Sequence, residues 1–70
     1  MYNVLFQGLG GEKRSIGIAT TEALAYRIIN EFLDEKKYKS YYTRSWQVDD
    51  DTIQVDVGSW SEFFFIVKAD

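Results

Sequence analysis

Apolar and polar residues alternate in several parts of the chain and recur at helical spacing in one. The segment Tyr2–Gln7 places Tyr2, Val4 and Phe6 on one face, which is typical of a strand. After Thr20-Thr21-Glu22, apolar residues recur every three or four positions, as in an amphipathic helix that begins at a threonine cap. The pattern predicts strands over residues 2–7, 14–19, 40–48, 52–58 and 63–68, and one helix over about residues 22–37.

Turn-forming residues separate these elements. Glycines occupy three of the four positions 8–11, and Asp49-Asp50-Asp51 and Gly58-Ser59-Trp60-Ser61 lie between later strands. Strands joined by such short turns pair antiparallel. We therefore predict a single α+β domain over residues 1–70, in the order β-β-α-β-β-β, with one helix packed on one face of an antiparallel sheet.

The predicted core takes the apolar face of each element. In residues 14–19, Ile16 and Ile18 are assigned to this face, and Gly17 and Ala19 to a small face that permits close approach of a helix or of another backbone. In residues 63–68, Phe63, Phe65 and Val67 are assigned inward. The predicted core residues are Val4, Phe6, Ile16, Ile18, Leu24, Ile28, Phe32, Tyr42, Trp46, Ile53, Val55, Val57, Phe65 and Val67.

One helix cannot cover the predicted sheet. Five strands make a sheet roughly 20 to 24 Å wide, whereas a helix with its side chains is about 10 to 12 Å across. If Phe64 and Ile66 face outward beside Tyr41 and Thr43, they form an aromatic patch of the kind that marks an interaction surface. The alternative is that the chain's own loops cover this face. The candidate partner-binding residues are Tyr41, Thr43, Arg44, Trp60, Phe64 and Ile66.

Composition narrows the chemistry. The chain has no cysteine and no histidine, which excludes disulfides, thiolate or imidazole metal sites, and Ser-His-Asp triads. Asp49-Asp50-Asp51 lacks the spacing of a calcium loop, and the glycines at 8–11 precede a strand instead of the helix that a phosphate loop requires. We predict a protein that is not an enzyme and that has no cofactor, metal site or catalytic residue.

The charge and the apolar runs indicate the partners. The net charge of -3 disfavours nucleic acid and anionic membranes, and no apolar run approaches the roughly 18 residues of a membrane span. We expect a cytoplasmic module that binds a protein partner or itself as a homo-oligomer. The alternative is a small single-stranded nucleic-acid binder that uses the basic and aromatic residues Tyr41, Arg44 and Trp46.

Two stretches carry a resemblance to known proteins. They are Tyr41-Tyr42-Thr43-Arg44-Ser45-Trp46 and Asp56-Val57-Gly58-Ser59-Trp60-Ser61-Glu62-Phe63-Phe64. This combination resembles small uncharacterised phage and prophage proteins of Gram-positive bacteria, over roughly residues 14–66. The resemblance implies a compact phage protein that binds and blocks a host protein, such as a component of a defence system, in the cytoplasm of the bacterial host.

The segment Val4-Leu5-Phe6-Gln7-Gly8 has two interpretations. It resembles the cleavage site of picornaviral 3C proteases that is common in affinity-tag linkers, which would exclude it from the fold. However, Leu9 follows Gly8 where such sites continue with proline, and the alternation of Tyr2–Gln7 suits a hairpin with Arg14–Ala19. We interpret it as the native first strand, whose removal unfolds the domain.

Overall fold

The computed structural model describes residues 1–36, 43–58 and 62–69. Its elements are β1 (Tyr2–Gln7), β2 (Lys13–Ala19), α1 (Glu22–Glu35), β3 (Arg44–Asp49), β4 (Thr52–Asp56) and β5 (Phe63–Lys68). The predicted α+β class and element order are confirmed. The predicted start of the third strand at residues 40–42 lies outside the described residues, as do Tyr41, Tyr42 and Trp60.

The five strands form one antiparallel sheet in the order β2-β1-β5-β4-β3. The first strand is therefore internal, since it pairs with β2 on one side and with β5 on the other. β2 and β3 lie at the two edges, and the chain passes through α1 between them. The first and last strands of the chain together form the middle of the sheet.

Local interactions explain the bounds of α1. Thr21 has an extended backbone, and its Oγ1 accepts a hydrogen bond of 3.2 Å from the Leu24 N–H, which satisfies one free donor of the first turn. Glu22 adds a negative charge where the helix dipole favours it. At the other end, the Lys36 N–H donates to the Phe32 carbonyl. The predicted threonine cap is confirmed.

The core lies between α1 and the half of the sheet formed by β2, β1 and β5, which are the strands that the helix contacts. The helix buries Ala25, Ile29 and Leu33 against them. The largest contacts are aromatic: the Phe6, Phe32 and Phe64 ring centroids lie 4.8 to 5.6 Å apart. The fully buried residues outside the helix are Val4, Val55, Phe64 and Ile66 in the strands and Val57 directly after β4.

The predicted faces of β5 are wrong. Phe64 and Ile66 are each 1% exposed, in the core beneath the helix, and do not face outward. The register gives the reason, because Phe6 pairs with Phe64 and Val4 pairs with Ile66, and paired residues lie on one face of a sheet. Phe63, Phe65 and Val67 therefore share the opposite face. The outward patch predicted around Phe64 and Ile66 does not exist.

The predicted faces of β2 are also corrected, by a β-bulge. Val4 pairs with Gly17 and Leu5 with Ser15, so Ile16 is an extra residue in β2. Gly17 faces α1, and a Cβ there would lie 3.1 Å from two side-chain carbons of Ile28, which confirms close approach of the helix at this small residue. Ile18 faces away and is 64% exposed, so its assignment to the core is wrong.

Two further core predictions are wrong. Trp46 is 44% exposed because it pairs with Gln54, whereas its neighbour Gln47 pairs with Ile53 on the core side. Leu24 is 41% exposed, at the margin of the helix face whose centre is Ala25 and Ile29. The predicted core residues Val4, Phe6, Val55, Val57 and Phe65 are confirmed as buried, although Phe65 lies on the side of the sheet opposite α1.

Candidate interaction surface

The side of the sheet opposite α1 is named the open face here, because the helix covers only the other side. Residues paired across strands form three rows on it. The first row is Lys13, Gln7, Phe63, Asp56 and Arg44. The second row is Ser15, Leu5, Phe65, Gln54 and Trp46. The third row is Ile18, Asn3, Val67, Thr52 and Asp49.

The second row is the apolar centre of the open face. Leu5 lies beside Phe65, and Trp46 lies at the β3 end of the row. The Phe65 side chain is only 6% exposed although α1 is on the other side of the sheet. Part of this cover is the ammonium of Lys13, whose Nζ is 4.1 Å from the centroid of the ring. Trp46 therefore offers more accessible aromatic surface than Phe65.

The edge strand β3 carries opposite charges at its two ends. The Arg44 Nη2 lies 3.6 Å from the Asp56 Oδ2 on the neighbouring strand, and this Arg44 side chain is 68% exposed. At the far end, an oxygen of Asp49 accepts a hydrogen bond of 2.9 Å from the Asp51 N–H. Arg44 and Asp49 thus lie on the same face, separated by the length of β3. The open face therefore has an apolar centre and a rim of both signs.

The structure separates the predicted partner-binding residues. Arg44 lies on the open face, and Thr43 is exposed immediately before β3. Phe64 and Ile66 lie in the core instead. Tyr41 and Trp60 lie outside the described residues. Of the predicted set, the described residues place only Arg44 on the open face.

Sequence reasoning missed Leu5, Phe63, Phe65 and Val67 as residues of this surface. The signal that identifies them is the pairing of β1 with β5, since it aligns the apolar residue Leu5 with Phe65. Such pairing joins residues from opposite ends of the chain, and alternation within one strand carries no information about it.

Metal-binding clusters and membrane-spanning helices are both absent from the described residues. Within residues 1–36, 43–58 and 62–69, no group of three or more carboxylates is arranged to hold a metal ion. No helix in the same ranges is long and apolar enough to cross a membrane. Comparison of the chain with protein-family models, with curated proteins and with solved structures finds no match.

Proposed function

We propose that this protein is a non-enzymatic protein-binding module that associates with a second copy of itself through the open face. The observation that carries the proposal is Trp46, which is 44% exposed at the β3 end of the second row, on the face opposite the helix that also holds Leu5 and Phe65. Burying an exposed tryptophan stabilises an interface, and aromatic residues are enriched at interface centres.

The size of the domain supports a second copy as the occupant. A chain of 70 residues has little core of its own, and oligomerisation is a common source of additional burial in small proteins. Five strands of about six residues give a face of roughly 450 to 500 Å² in plan. Two such faces packed as a sandwich bury about 1,000 Å² or more, which reaches the lower limit for specific interfaces.

The charges of β3 support the same occupant. A two-fold axis that runs across the strands brings β3 of one copy over β3 of the other in the opposite direction. Arg44 of each copy then lies near Asp49 of the other, so both rim pairs are favourable in one symmetric interface. A surface with one sign of charge would repel its copy instead.

Light scattering across a range of protein concentrations tests the proposal. We expect a species of twice the 8.2 kDa monomer mass. Trp46→Glu is expected to give the monomer, whereas Gln47→Glu adds the same charge one residue away on the opposite face and retains the dimer. A wild-type protein that is monomeric at about 100 µM, a concentration at which a micromolar dimer is mostly formed, contradicts the proposal.

Charge reversal tests the orientation of the two copies. Arg44→Asp alone places the new carboxylate at position 44 of each copy beside Asp49 of the other, and their repulsion is expected to weaken the dimer. Combining it with Asp49→Arg restores an attractive pair, so the double variant is expected to recover the dimer. Failure to recover, with both proteins folded by circular dichroism, contradicts this orientation but not the use of the open face.

The resemblance to phage proteins supports a finer proposal, that the protein is phage-encoded and blocks a host protein in the bacterial cytoplasm. Co-purification from lysate of a Gram-positive host, followed by an activity assay of the captured protein, tests it. A captured host enzyme that keeps full activity in excess of the module contradicts inhibition.

A second candidate function is single-stranded nucleic-acid binding. The observation that favours it is the presence of Lys13 and Arg44 on the same face as Trp46, since basic and aromatic side chains together bind single strands. Fluorescence anisotropy with a labelled oligonucleotide of about ten nucleotides tests it. Binding that weakens steeply with salt supports it, and the absence of binding at low salt excludes it.

A further inference from the structure

A groove follows the seam between the edge strand β2 and α1, on the side of the molecule away from β3. Two cavities make up this groove, of about 280 Å³ and about 180 Å³. Ile28 and Glu31 line both cavities, so the two adjoin. The larger is lined by Ile18, Ala19, Thr20, Leu24, Arg27, Ile28 and Glu31, and the smaller by Ile16, Ile28, Glu31, Phe32 and Glu35.

One wall of the groove is a sheet edge. Among the described residues, β1 is the only strand that pairs with β2, so the other side of β2 presents backbone N–H and C=O groups. The bulge at Ile16 interrupts this edge and leaves Ile18 and Ala19 beside the larger cavity. This favours a short added strand over continuous pairing along all of β2.

The other wall is apolar with an acidic margin. Leu24 is 41% exposed and Ile28 is partly buried, so an apolar side chain from outside can contact both. Glu31 and Glu35 follow along the same wall. Glu31 is already paired with Arg27 at 3.2 Å, but both side chains are more than 60% exposed, and such a pair exchanges partners at little cost.

We propose that this groove binds an extended segment of a partner protein by β-strand addition to β2. The segment carries apolar side chains at alternate positions and a lysine or arginine beside them. Main-chain hydrogen bonds to β2 supply affinity, the cavity beside Leu24 accepts an apolar side chain, and Glu31 and Glu35 select the basic residue. Of the residues that line the groove, only Ile18 also belongs to the open face, and the site does not depend on self-association.

A displayed library of random heptapeptides, selected against the wild-type protein, provides the probe. We expect enriched sequences with alternating apolar residues and at least one lysine or arginine. Nuclear magnetic resonance with the best peptide is expected to shift the amides of residues 16–20 and 24–35. No enriched sequence, or shifts confined to the open face around Trp46, overturns the proposal.

Matched variants then test each wall with the selected peptide. Leu24→Glu is expected to weaken peptide binding at least about tenfold. The control Ala23→Glu adds the same charge at an exposed neighbour that lines neither cavity, and it is expected to leave the affinity within about twofold of the wild type. Glu35→Lys is expected to weaken it about three- to tenfold, against little effect from Asp34→Lys. Equal losses within either pair overturn the assignment of that wall.

Backbone methylation of the peptide separates strand addition from simple apolar contact. Methyl groups on the amides that face β2 are expected to abolish binding, and those on the alternate amides to leave it intact, because successive amides of a strand point to opposite sides. Equal binding of the two methylated peptides overturns strand addition. The selected peptide could instead dissociate a dimer that pairs through β2 without itself forming a complex with the protein. That result identifies a second copy as the occupant of the groove and also overturns the proposal.

Discussion

Replacing Phe64 by alanine tests the most consequential feature of the fold, which is the direction in which β5 faces. The side chain is 1% exposed and its ring centroid lies 5.2 Å from that of Phe6 and 5.6 Å from that of Phe32. Losing the burial of such a side chain costs about 2 to 3 kcal/mol. A void of roughly 80 Å³ adds about 2 kcal/mol at ~24 cal/mol per Å³.

The expected loss is therefore about 4 to 5 kcal/mol in the free energy of unfolding. A domain of 70 residues has a total of about 4 to 10 kcal/mol, so the variant is at best marginally folded. Urea unfolding, followed by tryptophan fluorescence at two protein concentrations, measures this free energy and separates any contribution from self-association.

Phe63→Ala is the matched control, since Phe63 is the same residue type one position earlier, half-buried on the open face. It is expected to cost about 1 to 2 kcal/mol, because less surface is lost and water fills the space. If Phe64→Ala destabilises the protein less than Phe63→Ala, the two faces of β5 have been assigned in the wrong order.

Deletion of residues 1–8 removes β1, which pairs with both β2 and β5, so the truncated protein is expected to give the circular dichroism spectrum of an unfolded chain. A cooperative thermal transition in the truncated protein would contradict this. Gly17→Ala is expected to lower the free energy of unfolding by about 1 to 3 kcal/mol, because the added methyl lies 3.1 Å from Ile28. In the same urea assay, Gly10→Ala is expected to leave stability nearly unchanged, because its added methyl meets no atom within 4 Å. Equal effects of the two glycine substitutions would exclude tight packing of α1 on β2.

The elements themselves could be predicted from the sequence. The helix repeats its apolar residues every three or four positions after a threonine cap, and Thr52–Asp56 alternates without ambiguity. Periodicity of this kind is local, so it needs no knowledge of neighbouring strands. The order of elements followed from the same information.

The faces of β5 could not be predicted in this way. The segment Phe63–Val67 is apolar at every position, so alternation does not indicate which set of side chains meets the core. Only the pairing of Phe6 with Phe64 decides it, and that pairing joins the two ends of the chain. The candidate surface was misassigned for this reason.

The faces of β2 were predicted wrongly for a different reason. A bulge shifts the alternation by one residue, so Ile16 and Gly17 both lie on the side of the helix and Ile18 does not. No composition signal marks Ile16 as the extra residue. Gly17 did indicate the close approach of the helix, because a residue without a side chain permits such an approach whichever face the register gives it.

The internal position of β1 has a consequence for synthesis. During translation, β1 and β2 emerge before β5 and can pair as a local hairpin, but the other side of β1 stays unpaired until β5 is available, because Tyr2 pairs with Lys68. Long-range pairing of this kind is slow and cannot form before β5 has been synthesised. A nascent chain on the ribosome therefore carries β1 with one unpaired edge until β5 has been released from the exit tunnel, and a product that terminates before β5 is a substrate for chaperones and proteases.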